Sequence, residues 1–359
     1  MRRKILFLTP IILLICLSVH NPASLTEPQT ALTKWNMENI RALARGYMTS
    51  RIFVTAMELG VFAQLGSQQL TASQMAQQLS TDERATEILL NALTGMGLLE
   101  KKGNLFANVK EVADLLIPSS PHYQGGGFGH TAHLWEAWSR LTGIVRSGHP
   151  PKKEWTDGVR RDFALAMKQY AKGTADRLAR LLDCSDVSRM LDLGGGPGSY
   201  AIAFARYYPD LKAVVFDKDE YALKIAREDI TDQNLQDRIS LKKGDFFVDD
   251  IGSDYDLVLL SSIIHAFGEE ENISLLRKVK GSLKDGGRVV IRDFILDESK
   301  AKPASAAIFA VNMLVNTQNG RCYSFSEVKG WLQSLGFKDI HQVPMDRSQL
   351  IIGRKGGSL

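Results

Sequence analysis

Cysteine is scarce in this chain: Cys16, Cys184 and Cys322 are the only three in 359 residues. An odd number without paired spacing excludes a disulfide framework and a zinc knuckle, and it suits a reducing compartment. Charge of one sign is lacking as well. The 44 Lys and Arg against 40 Asp and Glu leave +4, and Arg2, Arg3 and Lys4 supply three of those positives at the extreme N-terminus. The remainder is nearly neutral and carries no signature of a nucleic-acid partner. No apolar run reaches the roughly twenty residues that span a bilayer. Residues 5–19 follow the three basic residues in the layout of a signal peptide or short anchor, yet no Ala-x-Ala site comes after them, and Ile15 is too bulky for a lipoprotein site before Cys16. Membrane contact is open to residues 5–19 alone, within an extension covering 1–34 that reads either as a stretch upstream of the true start or as a weak anchor against the inner membrane face. What is present, 44% hydrophobic and 23% charged residues, describes an ordinary globular protein long enough for two domains.

The chain is organised around Met190-Leu191-Asp192-Leu193-Gly194-Gly195-Gly196-Pro197-Gly198-Ser199-Tyr200. An apolar run ends in glycines and resumes at Tyr200 as a helix, giving strand, tight turn and helix. Such a turn lets backbone approach a ligand closely, because glycine takes positive φ cheaply, and the helix behind it offers free N–H groups. The dinucleotide fingerprint G-x-G-x-x-G lacks its last glycine, Ser199 standing there, and this weakens a nicotinamide-dinucleotide reading. Asp217 closes the next apolar run about twenty residues on, where nucleotide folds hold ribose hydroxyls; a helix cap is the structural alternative.

Upstream, Ile52, Ala56, Leu59 and Phe62 recur at helical spacing. Thr71-x-x-Gln74 and Ser80-x-x-Glu83 read as successive capping boxes, and Gly103-Asn104 as a hairpin turn. Three short helices and a hairpin make a winged-helix-like module over residues 35–145. The acidic start of its third helix, Asp82-Glu83 with Glu87, argues against DNA. Apolar surplus over 42–54 and 134–144 has no evident partner within the module and points to association. His130, His133 and Glu136 lie three apart on a helix beside Trp135 and Trp138, but with no fourth ligand they read as ordinary helix residues and no metal is expected. Residues 146–187 form a linker and one long connecting helix with Phe163, Met167, Tyr170, Leu178 and Leu181 on a single face.

Over 188–359 strands and helices alternate, which implies a parallel sheet with helices on both faces and ligands at the carboxyl ends of the strands. The glycine turn, Asp217, Asp245, Ser261 to His265 and Asp293 all fall at that edge. Histidine titrates near neutrality and suits proton removal from a hydroxyl. Asp293 ends the neighbouring strand, where its carboxylate can fix the imidazole tautomer.

The segments Leu191-Asp192-Leu193-Gly194-Gly195-Gly196-Pro197-Gly198, Phe216-Asp217, Gly244-Asp245-Phe246-Phe247, Ile263-Ile264-His265-Ala266-Phe267 and Asp285-Gly286-Gly287-Arg288-Val289-Val290-Ile291 together resemble those of the small-molecule O-methyltransferases related to the caffeic acid and hydroxyindole enzymes, in their bacterial branch. The resemblance implies an α/β, Rossmann-like class I methyltransferase sheet, an N-terminal dimerisation domain and a homodimer. It implies S-adenosylmethionine as cofactor, held by Asp192, Gly194, Gly196, Gly198, Asp217, Asp245, Phe246 and Ser261, with His265 as base and Asp293 orienting it. Phe163, Met167, Trp135 and Met313 would line the pocket of a small, aromatic acceptor. Ala266 and the stretch Arg321-Cys322-Tyr323 depart from the plant pattern, leaving Cys322 or Tyr323 where a second orienting carboxylate is expected. Because S-adenosylmethionine is made in the cytoplasm, a cytoplasmic enzyme is expected. A non-catalytic sensor and a dinucleotide-dependent oxidoreductase are the rival readings.

Overall fold

The computed structural model describes residues 35–152 and 154–357; the expected membrane contact at 5–19 lies outside them. Among the described residues no helix is long and apolar enough to cross a membrane.

The N-terminal part opens with α1 (Met37–Leu59) and α2 (Val61–Leu65). There follow β1 (Leu70–Thr71), α3 (Ala72–Leu79), α4 (Glu83–Gly95) and the hairpin β2 (Leu99–Lys102) and β3 (Leu105–Asn108). Gly103 takes φ +61 at the hairpin tip, the conformation a two-residue turn requires of its first central residue. Thr71 caps α3 through a capping box with Gln74, as its spacing predicts. The second expected box does not form. Ser80 is the left-handed residue that ends α3, and Asp82 caps α4 by accepting from Ala85 N–H at 2.8 Å. The chain must reverse directly after α3, which leaves Ser80 in a conformation that cannot cap α4. Phe62, Leu65, Met75, Leu90, Leu93 and Phe106 form the core of this module.

After α5 (Lys110–Leu116), the three glycines wind one 3-10 turn, Gly125–Gly127, into α6 (Phe128–Ser139) and α7 (Leu141–Ser147). The expected long connecting helix is two helices, α8 (Asp157–Ala171) and α9 (Thr174–Leu181). Gly173 at φ +75 breaks it, and the single face dissolves: Leu178 is buried while Tyr170 and Leu181 are exposed.

The remaining strands are β4 (Arg189–Leu193), β5 (Lys212–Asp217), β6 (Ile239–Lys243), β7 (Tyr255–Ser261), β8 (Leu283–Asp293), β9 (Phe337–Met345) and β10 (Ser348–Lys355). Between them run α10 (Ser199–Tyr207), α11 (Glu220–Asp232), α12 (Glu269–Ser282), α13 (Ala304–Asn316) and α14 (Phe325–Ser334). They form one seven-stranded sheet in the order β6-β5-β4-β7-β8-β10-β9. The first five strands are parallel, as their alternation with helices predicts. β10 runs antiparallel to both its neighbours, β8 and β9, because only two residues separate β9 from β10 and a parallel return needs a crossover. Strand alternation sends Met190, Val215, Leu257, Leu259 and Val290 to one core and Leu191, Phe216, Val258, Leu260 and Ile291 to the other. Each such side chain contributes about 1.5–3 kcal/mol on burial, so the register of the carboxyl edge is firmly set.

Candidate active site

The glycine turn, Asp217, Asp245, Phe246, Ser261, His265 and Asp293 lie at that edge. β4 ends in the glycine turn, and the four glycines there have different reasons to lack a Cβ. At Gly194 (φ +72) a Cβ would collide with the Ile263 side chain, at Gly195 it would lie 2.7 Å from Asp192 Cγ, and at Gly198 (φ +72) it would press on Ala226 and Val215. Packing within the fold accounts for these three. Gly196, at φ +51, has nothing nearer than Asp217 Oδ2 at 3.9 Å, so its surface is an open cradle of the kind a bound ligand fills.

Asp217, the last residue of β5, accepts from Gly196 N–H through Oδ2 and from Asp219 N–H through Oδ1, each at 2.8 Å. Burial raises its pKa, and those two N–H groups pull against the rise. The cap of α11 is Asp219, accepting from Ala222 N–H at 3.1 Å, so Asp217 does not serve as that cap. Asp192 accepts from Ala201 N–H at 3.2 Å, an otherwise unsatisfied donor in the first turn of α10. Its Oδ1 is buried with no hydrogen-bond partner. Burial, reinforced by the negative charge of Asp217, pushes its pKa up to about 7. Asp245 accepts from Phe247 N–H at 2.9 Å, and Phe246 stands beside the glycine turn with its ring edge-on to Phe267 at 5.7 Å. Ser261 ends β7 and accepts from the Arg292 guanidinium at 3.4 Å. An adenosine-like ligand fits this set: an open glycine cradle, an acid at the end of the second strand, and an aromatic ring on the third loop.

One strand further along, His265 sits in a 3-10 turn, Ile264–Ala266, after β7. Its Nδ1 lies 2.6 Å from Asp293 Oδ1, and both residues are buried. Asp293 also accepts from Phe294 N–H at 2.7 Å and from His265 N–H at 3.4 Å, so the carboxylate cannot swing away. Phe309 of α13 meets the imidazole edge to face at 4.9 Å, and Phe294 stacks on Phe309 at 4.1 Å. The turn itself is braced from behind. Asn272 Nδ2 donates to Ile264 O at 2.9 Å and Phe267 O at 3.2 Å, and Tyr323 OH donates to Phe267 O at 2.6 Å. Tyr323 thus holds the backbone under the histidine without bonding the imidazole. Cys322 is buried near enough to Asp293 to feel its charge; burial, then that charge, push its thiol up to about 12.

The four expected pocket residues are spread over three helices. On α8, Phe163 packs edge to face on His130 and Trp155, with Met167 one turn further along. Trp135 of α6 lies under the Arg51 guanidinium, and Met313 is buried on α13 one turn beyond Phe309. Nearby, Trp138 Nε1 donates to Asn312 Oδ1 at 2.9 Å and ties α6 to α13. Part of the 134–144 surplus therefore finds its partner within the chain. His133 pairs with Asp162 at 3.0 Å, and among the described residues no cluster suited to a metal ion occurs. Phe309, Asn272 and Arg292 escaped sequence reasoning. Only Arg292 left a signal there, a charged residue at the carboxyl end of an apolar strand.

Residues 138–338 match the family model described as an O-methyltransferase domain, and residues 42–119 match the O-methyltransferase dimerisation domain. The chain is 34% identical to the 3-hydroxy-5-methyl-1-naphthoate 3-O-methyltransferase of Streptomyces sahachiroi, over 84% of this chain and 89% of that protein. Among solved structures, human N-acetylserotonin methyltransferase in complex with S-adenosylmethionine aligns with a TM-score of 0.79 at 25% identity, covering 90% of this chain and 99% of the other. PigF, a protein of a Serratia species solved with S-adenosylhomocysteine, aligns with a TM-score of 0.82 at 25% identity, covering 89% and 100%.

Proposed function

The chain belongs to the O-methyltransferase family, and from that premise we propose that it methylates a hydroxyl of a small, planar aromatic metabolite with His265 as general base. Its methyl donor is S-adenosylmethionine, which supplies a methyl on a positively charged sulfur and so an electrophilic carbon. The reading rests above all on the buried His265–Asp293 pair at 2.6 Å, one strand from the glycine cradle. With Asp293 accepting from Nδ1–H, Nε2 is the basic nitrogen. It takes the acceptor's hydroxyl proton, and the imidazolium so formed is stabilised by the adjacent carboxylate. Asp192, Asp217, Asp245, Phe246 and Ser261 with the glycine turn hold the donor, and alignment of the two reactants supplies the rest of the rate enhancement. The stacked Phe294 and Phe309 favour a flat acceptor and keep water from the imidazole. The names of the relatives, a naphthoate and an N-acetylserotonin methyltransferase, point to the same substrate class.

Residues 35–145 serve dimerisation, 188–359 bind the donor, and 146–187 connect them. Ile40, Leu43, Tyr47 and Met48 are exposed on α1, an apolar surface suited to a second copy of the chain. The reaction belongs in the cytoplasm, where the donor is made.

The test is S-adenosylhomocysteine release with a panel of hydroxylated naphthalenes and indoles. His265→Ala should lower turnover by about 10²–10⁴ while leaving S-adenosylhomocysteine affinity intact. An unchanged rate at neutral pH refutes the role given to His265.

A further inference from the structure

Buried polar atoms are nearly always hydrogen-bonded, yet two at the carboxyl edge of the sheet are not: Asp192 Oδ1 and Arg292 Nε. Strand alternation puts Arg292 on the opposite face from its neighbour Asp293. It lies beside Ser261 in register, on the face that Asp192 and Asp217 share. Its guanidinium donates to Ser262 Oγ at 3.1 Å and Ser261 Oγ at 3.4 Å, and lies 5.8 Å from the centre of the Tyr200 ring. Two hydroxyls and a ring orient a permanently charged group, but they do not neutralise it. Two other arginines around this sheet have acids, Arg288 on the same strand with Asp186 at 2.8 Å and Arg160 with Asp219 at 3.1 Å, while Arg238 and Arg354 donate to backbone carbonyls. Tyr200 belongs to the first turn of α10, so the unmatched cation stands against the helix that leaves the glycine turn.

An orphaned acid oxygen and an orphaned arginine on one face call for a ligand carrying both charges. An α-amino acid is such a ligand. We infer that Arg292 binds the carboxylate at the amino-acid end of S-adenosylmethionine, with Ser261, Ser262 and Tyr200 holding its guanidinium, and that Asp192 receives the ammonium of the same group. This rests on the donor and not on the role of His265, whose partner Asp293 faces the opposite side of the sheet.

Calorimetric titration of the full chain without acceptor separates the parts of the donor. S-adenosylhomocysteine carries the amino-acid end, whereas methylthioadenosine keeps adenine, ribose and thioether without it. Arg292→Gln should weaken S-adenosylhomocysteine about 10- to 100-fold and leave methylthioadenosine unchanged, and Arg292→Lys should recover part of the loss. Equal loss for both ligands would make Arg292 a structural residue. Unchanged S-adenosylhomocysteine affinity would send the carboxylate elsewhere, including to an acidic acceptor; either result overturns the inference.

Discussion

Replacing Asp192 with asparagine should flatten the pH dependence of the ligand-free protein's stability. Burial first, then the charge of Asp217, lift the Asp192 pKa from 3.8 to about 7, against the pull of the Ala201 N–H. Below about pH 4 the folded and unfolded chains both hold this proton. Between about 4 and 7 the unfolded chain releases it and the folded chain keeps it, so rising pH favours unfolding. Above about 7 the difference is complete and amounts to about 4 kcal/mol. Asparagine keeps an acceptor for Ala201 N–H and does not titrate. Its amide N–H would face the site where Oδ1 has no partner, a pH-independent loss of about 1–3 kcal/mol. The variant should therefore be no more stable than the parent near pH 4 and more stable near pH 8, the gap between them shifting by about 4 kcal/mol. Asp217 titrates upward for the same reason but is present in both proteins, so its effect largely cancels. Urea unfolding of both chains at a series of pH values measures this, and parallel curves would show that Asp192 is already ionised in the fold. The same substitution should weaken S-adenosylhomocysteine binding, so stability and affinity should move in opposite directions at pH 8.

The glycine turn offers a contrast between strain and ligand contact. Gly196→Ala has room for its Cβ and should lower stability by only about 1–2 kcal/mol of left-handed strain while sharply reducing S-adenosylhomocysteine affinity; retained affinity would mean no ligand passes over Gly196. Gly194→Ala collides with Ile263 and should lower the unfolding midpoint further. Asp293→Asn leaves the imidazole in place without enforcing its tautomer, and should reduce turnover about 10–10³-fold with S-adenosylhomocysteine affinity kept; a loss of that affinity would move Asp293 into the ligand shell.

Local sequence determined a good deal. Apolar runs closed by Gly194, Asp217, Ser261 and Asp293 marked strand ends, because a run buried on both faces is legible residue by residue, and a parallel sheet then brings every such end to one edge. The His265–Asp293 pairing followed from their places on neighbouring strands. Sequence could not settle choices made by competition between overlapping signals. Ser80-x-x-Glu83 reads as a cap until the reversal after α3 takes Ser80 for itself, and Gly173 splits a helix whose apolar spacing runs straight through it. Tertiary structure alone decided the surroundings of His265. Phe309 on His265, Asn272 and Tyr323 beneath its turn, and Asn312 joined to Trp138 are contacts between elements far apart in the chain, and no local periodicity encodes which side chain of one helix meets which turn of another. Arg292 falls between the two cases. Alternation along β8 already put it on the face opposite Asp293, but that its charge goes unmatched became visible only when the fold brought Ser261, Ser262 and Tyr200 around it and paired it with no carboxylate among the described residues.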